Sequence, residues 1–224
     1  DSLMTKPVGA TDRTSVRRFP EKAVKDRAEV NAILDAGLVA HVSCVVDGQP
    51  FVMPVGYARD GDRVLFHGST ASRLFKTLAT GQACCFTVTL LDGMVLARSA
   101  FESSMNYRCV IALGTCEVLE GEEKEAALIR ITDHLLPGRT DHARKAAPKE
   151  SKATLMVAMN LDEVSCKVSE GDPDDVPSDL TDPIYSNIWA GYVPMKEVFG
   201  EPVADPMTTE KNIPIPDYVK NWKR

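Results

Sequence analysis

Ser69, Thr70, Ser72 and Arg73 fall within one short run, Gly68-Ser69-Thr70-Ala71-Ser72-Arg73. Three hydroxyls and a guanidinium among small residues are the donors an oxyanion needs, and the arginine fork matches a phosphate. The neighbours say how the run is held. Val64, Leu65 and Phe66 before it read as a buried strand. Leu74, Phe75 and Leu78 after it repeat at helical spacing, and Gly81 closes the helix. Strand, small polar turn and helix start present unpaired N–H groups to an anion. The same residues also suit an ordinary helix cap with a solvated arginine.

Elsewhere the chemistry is sparser. Arg98, Glu102 and Arg108 cluster around one loop, as an acidic-substrate site or as an interface ion-pair group. His41 lies in an apolar strand and reads as structural; His134 and His142 read as facing solvent. The acidic run Glu170, Asp172, Asp174 and Asp175 lacks the spacing of a calcium loop and reads as a solvated loop. There is no G-x-S-x-G, no H-E-x-x-H and no G-x-G-x-x-G after a strand. The six cysteines, Cys44, Cys84, Cys85, Cys109, Cys116 and Cys166, form no C-x-x-C pair. They read as small buried hydrophobes in a reducing, cytoplasmic compartment, with Cys84 and Cys85 on opposite faces of a strand. No metal site is expected.

A chain of 224 residues with 44% hydrophobic and 26% charged residues is enough for one large domain or two small ones, and reads as one domain over residues 1–224. A formal net charge of -6 argues against a nucleic-acid surface. No apolar run reaches the length of a membrane span, and Asp12, Arg13, Arg17 and Arg18 break up any signal-peptide core.

In chain order the pattern predicts an extended arm over about 1–25, then a helix capped by Asp26 with Glu29 three residues on, carrying Val30, Ile33 and Leu34 and ending at Gly37. Strands follow over 38–46, 51–58 and 64–66, joined by Asp47-Gly48 and Asp60-Gly61 hairpins. Pro50 and Pro54 suggest a place where the ladder opens. After the 72–80 helix come a strand over 83–90, an Asp92-Gly93 turn into 94–97, a long strand over 107–119 and a helix over 122–135. Residues 138–152 read as loop. A strand over 155–168, broken at Asp162-Glu163, precedes an acidic turn region and a last strand over 188–193. A Pro-rich tail, about 199–224, should wrap a surface. Seven or more strands on short hairpins predict a mainly β (α+β) protein, an antiparallel split β-barrel with flanking helices.

The order of these elements resembles the pyridoxamine 5'-phosphate oxidase-related, FMN-binding split-barrel family, closest to its nitroimidazole-resistance and flavin-nucleotide-binding branch. The most specific stretch is Leu65-Phe66-His67-Gly68-Ser69-Thr70-Ala71-Ser72-Arg73-Leu74-Phe75-Lys76. Pro50 to Tyr57, Asn106 to Val110 and Ile188 to Pro194 support it. The resemblance implies FMN, or FAD, at a homodimer interface. It implies that Ser72 and Arg73 hold the phosphate and that Met53, Pro54 and Val55 lie along the isoalloxazine ring. His67, Gly68, Ser69 and Thr70 would border the ring or ribityl chain. Tyr107, Arg108 and Trp189 would reach the flavin from the partner subunit or close its rim; Trp189 could equally be a core tryptophan.

Two departures qualify what carries over. Leu74 follows Arg73 where the oxidase has a basic residue, and Trp189 is followed by Ala190-Gly191 in place of an Arg-x-His substrate motif. Flavin binding therefore transfers better than the oxidase reaction. The expected function is a flavin-dependent oxidoreductase acting on a small electron-poor molecule, a nitroaromatic or quinone, with His67 as candidate proton donor or as a residue satisfying its turn. The alternatives are a non-catalytic flavin or heme carrier and a deazaflavin-dependent reductase.

Overall fold

The computed structural model describes residues 5–222; the first residues of the expected arm and the last two of the tail lie outside it. β1 (Val39–Val46), β2 (Gln49–Asp60) and β3 (Arg63–Ser69) form the expected run of hairpins. Asp47 and Gly48 turn the first with φ of 51° and 76°, the left-handed pair that a two-residue hairpin of this twist needs. β4 (Cys84–Leu96), β5 (Ser104–Gly114), β6 (Cys116–Leu119), β7 (Thr154–Asn160), β8 (Glu163–Ser169) and β9 (Gly191–Pro194) complete an antiparallel, curled sheet. Its order is β6-β7-β3-β2-β1-β4-β5-β8, with β9 on β4.

β2 serves both halves of this sheet. Residues Gln49–Gly56 pair with β1, whereas Tyr57–Asp60 pair with β3. Beyond Phe66, β3 pairs with β7 alone. The two strands therefore part at Gly56–Tyr57 and leave facing, unpaired edges. Pro50 and Pro54 sit on the free part of β2, where a missing N–H costs no second ladder. This is the split of a split barrel, as expected from the sequence.

Two apolar clusters hold the sheet in shape. The larger joins Val30, Ile33 and Leu34 of α1 (Arg27–Ala36) and Leu74, Phe75 and Leu78 of α2 (Arg73–Leu78) to Val42, Phe66, Phe86 and Val110. Asp26 caps α1 by accepting from Ala28 N at 3.0 Å. Gly37 ends it because a Cβ there would lie 2.4 Å from the Tyr57 hydroxyl. That buried hydroxyl donates to Leu34 O at 2.5 Å. The smaller cluster lies under α3 (Gly121–Leu135), where Ala127 and Ile131 meet Leu65, Leu119 and Met156.

Several elements differ from expectation. Asp92-Gly93 is not a turn: β4 runs straight through it, with a bulge between Leu91 and Gly93. Gly93 is small because a Cβ would sit 2.8 Å from Val193 O of β9. The strand expected over 107–119 breaks after Gly114, where the chain leaves β8 and joins β7 as β6. The strand expected over 155–168 is two strands that pair in different halves of the sheet, so its polar interruption is the crossing between them. Residues 138–152 contain a short helix, α4 (Pro148–Lys152), and the last strand is only Gly191–Pro194.

The N-terminal arm is anchored rather than loose. Val8 and Thr14 are buried, and Gly9 N donates to Val164 O at 2.7 Å. Arg13 Nε donates to both Glu163 oxygens at 3.1 and 3.0 Å, and with Thr11 it holds that carboxyl down at about 2. Beyond β8 come three further short α-helices, α5 (Pro177–Thr181) before β9, and α6 (Pro206–Glu210) and α7 (Asp217–Lys220) in the tail.

Candidate functional site

The opening between β2 and β3 collects nine of the residues singled out from the sequence. Met53, Pro54 and Val55 lie on the free part of β2, and His67, Gly68 and Ser69 on the part of β3 that has left it. The turn Thr70–Ser72 closes the bottom, pinned by Thr70 N to Ala153 O at 3.0 Å and by Ala71 N to Ser69 Oγ at 3.1 Å. Arg73 is the first residue of α2, exposed, with its guanidinium 4.7 Å above the Phe51 ring. Among the described residues that guanidinium has no hydrogen-bond or ion-pair partner. Ser72 stands at the cap position, and its hydroxyl makes no cap bond. Both groups are therefore free to meet an anion.

His67 shares a sheet face with Leu65 and pairs with Met156. Its side chain is exposed, yet the neighbouring protein takes away part of its hydration and lowers its pKa from the ordinary 6.5, because a charged imidazolium loses hydration there. Gly68 is small for a packing reason. Its missing side chain does not leave room for a ligand: a Cβ would lie 2.2 Å from the buried Phe75 ring, so the space is already filled.

The other three residues do not join this group within one chain. Tyr107 and Arg108 lie on β5 toward the β4 bulge. Arg108 forks onto Asp92, with Nε and Nη2 at 2.9 and 2.8 Å from its two oxygens, and that carboxylate raises the guanidinium pKa. Trp189 is 67% exposed, lies over Gly191 beside β9 and is no core residue. Nor do Arg98, Glu102 and Arg108 form one cluster. Arg98 Nη1 pairs with Asp175 at 2.7 Å, and Asp175 also accepts from Arg98 N. With a side chain only 4% exposed, Asp175 is a structural anchor rather than part of a solvated loop.

Beside the β4 bulge lies a chamber of about 1000 Å³ that sequence reasoning missed. Its floor comes from the end of α1, from Leu90, Leu91 and Asp92 of β4, from Arg108 and from the end of α3; its roof is the tail at Pro194–Phe199 with Asn221 and Trp222. His134, expected to face solvent, lines it, with Nε2 2.7 Å from Gly37 O. A carbonyl only accepts, so Nε2 carries the proton. Helical spacing held a signal for this: His134 lies three and seven residues after the buried Ile131 and Ala127. Among the described residues no three metal-ligating side chains gather into a cluster, and no helix is long and apolar enough to cross a membrane.

Curled antiparallel sheet and parted strands define a split-barrel protein, with Ser72 and Arg73 at the mouth of its opening. A family model described as pyridoxamine 5'-phosphate oxidase matches residues 26–168, and the chain belongs to that family. No curated protein matches it. Among solved structures, the flavocytochrome Anf3 from Azotobacter vinelandii is 40% identical with a TM-score of 0.86, over 95% of this chain and 97% of that one. The FAD and heme binding protein from Mycobacterium smegmatis is 39% identical with a TM-score of 0.84, over 90% of this chain and 97% of that one. A candidate 5-nitroimidazole antibiotic resistance protein from Bacteroides thetaiotaomicron shares the fold at 21% identity and a TM-score of 0.55, over 65% of this chain and 86% of that one.

Proposed function

We propose that this chain is a flavin-binding redox protein that also carries heme, works as a homodimer and passes electrons to a small electron-poor acceptor such as a nitroaromatic or a quinone. The observation that carries the flavin reading is Arg73: an unpartnered guanidinium braced on Phe51 at the mouth of an opening whose backbone edges are unpaired. In this reading Arg73 and the Ser72 hydroxyl hold the phosphate end. Backbone groups of residues 49–55 that point away from β1 meet the polar rim of the ring, with Met53, Pro54 and Val55 against its face. His67, Ser69 and Thr70 border it on the other side. FAD is favoured over FMN, since a relative 39% identical is named for FAD and heme. A bound flavin supplies hydride and single-electron transfer; the residues here bind it, orient it and offer one titratable group, His67, beside it.

The homodimer reading rests on exposed apolar surface. The outer face of the β2-β1-β4-β5 sheet presents Val39, Val45 and Val52, which are 50%, 44% and 58% exposed, together with Ile111. A second copy is the occupant proposed for that face. In such a pair Tyr107, Arg108 and Trp189 would come to the flavin from the partner subunit.

The test is the visible spectrum of the purified protein, followed by FAD titration of flavin-free wild type and Arg73→Ala. Flavin bands and a heme Soret band are expected. Loss of one charge-assisted phosphate contact should remove about 1.5–3 kcal/mol of binding, roughly a ten- to hundredfold loss of affinity. Equal affinities would take Arg73 out of the site.

A further inference from the structure

Two sulfurs face each other where the chain crosses from one half of the sheet to the other. We propose that Cys84 and Cys116 form a modification site, a dithiol that a hydroperoxide oxidises to a reversible disulfide tying the two halves together. The inference stands apart from the flavin and heme readings above.

Three observations converge on this pair. The first is distance. Both cysteines are free thiols, and Cys84 Sγ lies 3.7 Å from Cys116 Sγ. The sulfurs need to approach by about 1.7 Å to reach bonding distance, which rotation about the side-chain bonds and a small strand shift supply. The more exposed Cys85 and Cys109 have no such option with each other. They stand four register positions apart on paired strands, about 13 Å along the ladder.

The second is access and polarity. Cys84 and Cys116 keep 7% and 8% of their surface, whereas Phe86 and Met159 beside them keep 0%. Each opens its strand and follows an exposed residue, Ala83 or Thr115. A small neutral peroxide can enter there. The hydrogen bond from the Cys116 S–H lowers the Cys84 pKa from the ordinary 9.0, and the same contact together with burial raises that of Cys116. Cys84 is therefore the attacking sulfur and Cys116 the resolving one.

The third is placement. β4 pairs with β1, β5 and β9, while β6 pairs with β7 alone. Cys84 stands opposite Gly114, the last residue of β5, and Cys116 stands opposite Met159 of β7. A bond between them thus links strands that share no ladder.

The chemistry closes on these two residues and the peroxide. The Cys84 sulfur attacks one peroxide oxygen, the O–O bond breaks, and an alcohol (or water, from hydrogen peroxide) leaves Cys84 as a sulfenic acid. The Cys116 sulfur then attacks the Cys84 sulfur. The S–S bond forms, the S–O bond breaks, and the oxygen departs as water with the Cys116 proton. Two thiols give up two electrons and two protons, and a thiol reductant reverses the change by exchange.

Full-length reduced protein is treated with hydrogen peroxide in native buffer and, separately, in guanidinium chloride. Remaining thiols are alkylated, and the chain is cut with trypsin, which separates the two cysteines at Arg98 and Arg108. In native buffer the expected product is a cross-linked peptide pair, two hydrogens lighter than its parts, assigned by fragmentation to Cys84 and Cys116 and lost with dithiothreitol. In guanidinium the preference for this pair should vanish. Cys116→Ser should leave Cys84 as a sulfenic acid that dimedone traps. Linked wild type should melt at a higher temperature than reduced wild type. Oxidation at Cys85 or Cys109 with no Cys84–Cys116 link overturns the proposal, as does a peroxide-treated chain with all six thiols intact. A link that forms equally well in guanidinium also overturns it, since the fold would then play no part. A linked form that melts no higher than the reduced one refutes the tie between the halves.

Discussion

At the scale of single residues, the opening is built from groups whose own partners are missing. Among the described residues Arg73 has an aromatic support but no counter-charge, and Ser72 caps nothing. His67 is the titratable group of this set, and lost hydration sets its state: with a pKa below 6.5 it is neutral at pH 7. A neutral imidazole gives no proton, so its help to an acceptor has to grow as pH falls through that lowered value. Reoxidation of photoreduced protein by a nitroaromatic, followed by stopped flow without oxygen, should therefore quicken below pH 6.5 in wild type. His67→Asn should stay flat and run about 10²-fold slower at the acid end, the lower range of general-acid help. FAD affinity should barely move. Parallel pH profiles would return His67 to a structural role.

At the scale of elements, the β4 bulge ties the two ends of the fold together. Asp92, displaced from the ladder by the bulge, receives Arg108, while Gly93 admits the backbone of β9. Met195 N donates to Asp92 O at 2.8 Å just beyond it. The tail thus enters its course over the chamber at a point where no side chain can be tolerated. Gly93→Ala should free β9 and the tail beyond it, seen as faster amide exchange and proteolysis after Ala190, while β1–β8 keep their protection. A protected β9 in that variant would show that the tail is held elsewhere. α3 works at the same scale: it buries Ala127 and Ile131 against the sheet and so delivers His134 to the chamber and to Gly37.

At the scale of the whole molecule, apolar surface is left over. Beyond the outer sheet face, the chain after β8 exposes Ile184, Val198, Met207 and Val203, the last at 94%. Exposed apolar surface on this scale marks a contact. Light scattering of the flavin-loaded protein at micromolar concentration should give the mass of two chains. Val52→Asp and Val45→Asp together, on the outer face and away from either core, should shift it to one. A flavin-loaded monomer of wild type would refute the dimer.

The local signals in the sequence went a long way. Alternating apolar residues, Asp47-Gly48 and the Asp26 cap are short-range features, and the chain folds as they indicate. Ser72-Arg73 at a strand–turn–helix junction and prolines on a parting strand were enough to place the opening, because each depends on neighbours within about ten positions. Asp92-Gly93 misled for the same reason. The dipeptide favours a turn, and only the later arrival of β9 and the charge on Arg108 make it a bulge. The chamber was out of reach altogether. Its walls come from segments near 35, 90, 108, 134, 195 and 222, and no local pattern brings six distant stretches together. Packing does that, as the tail folds back and encloses a volume belonging to no single element.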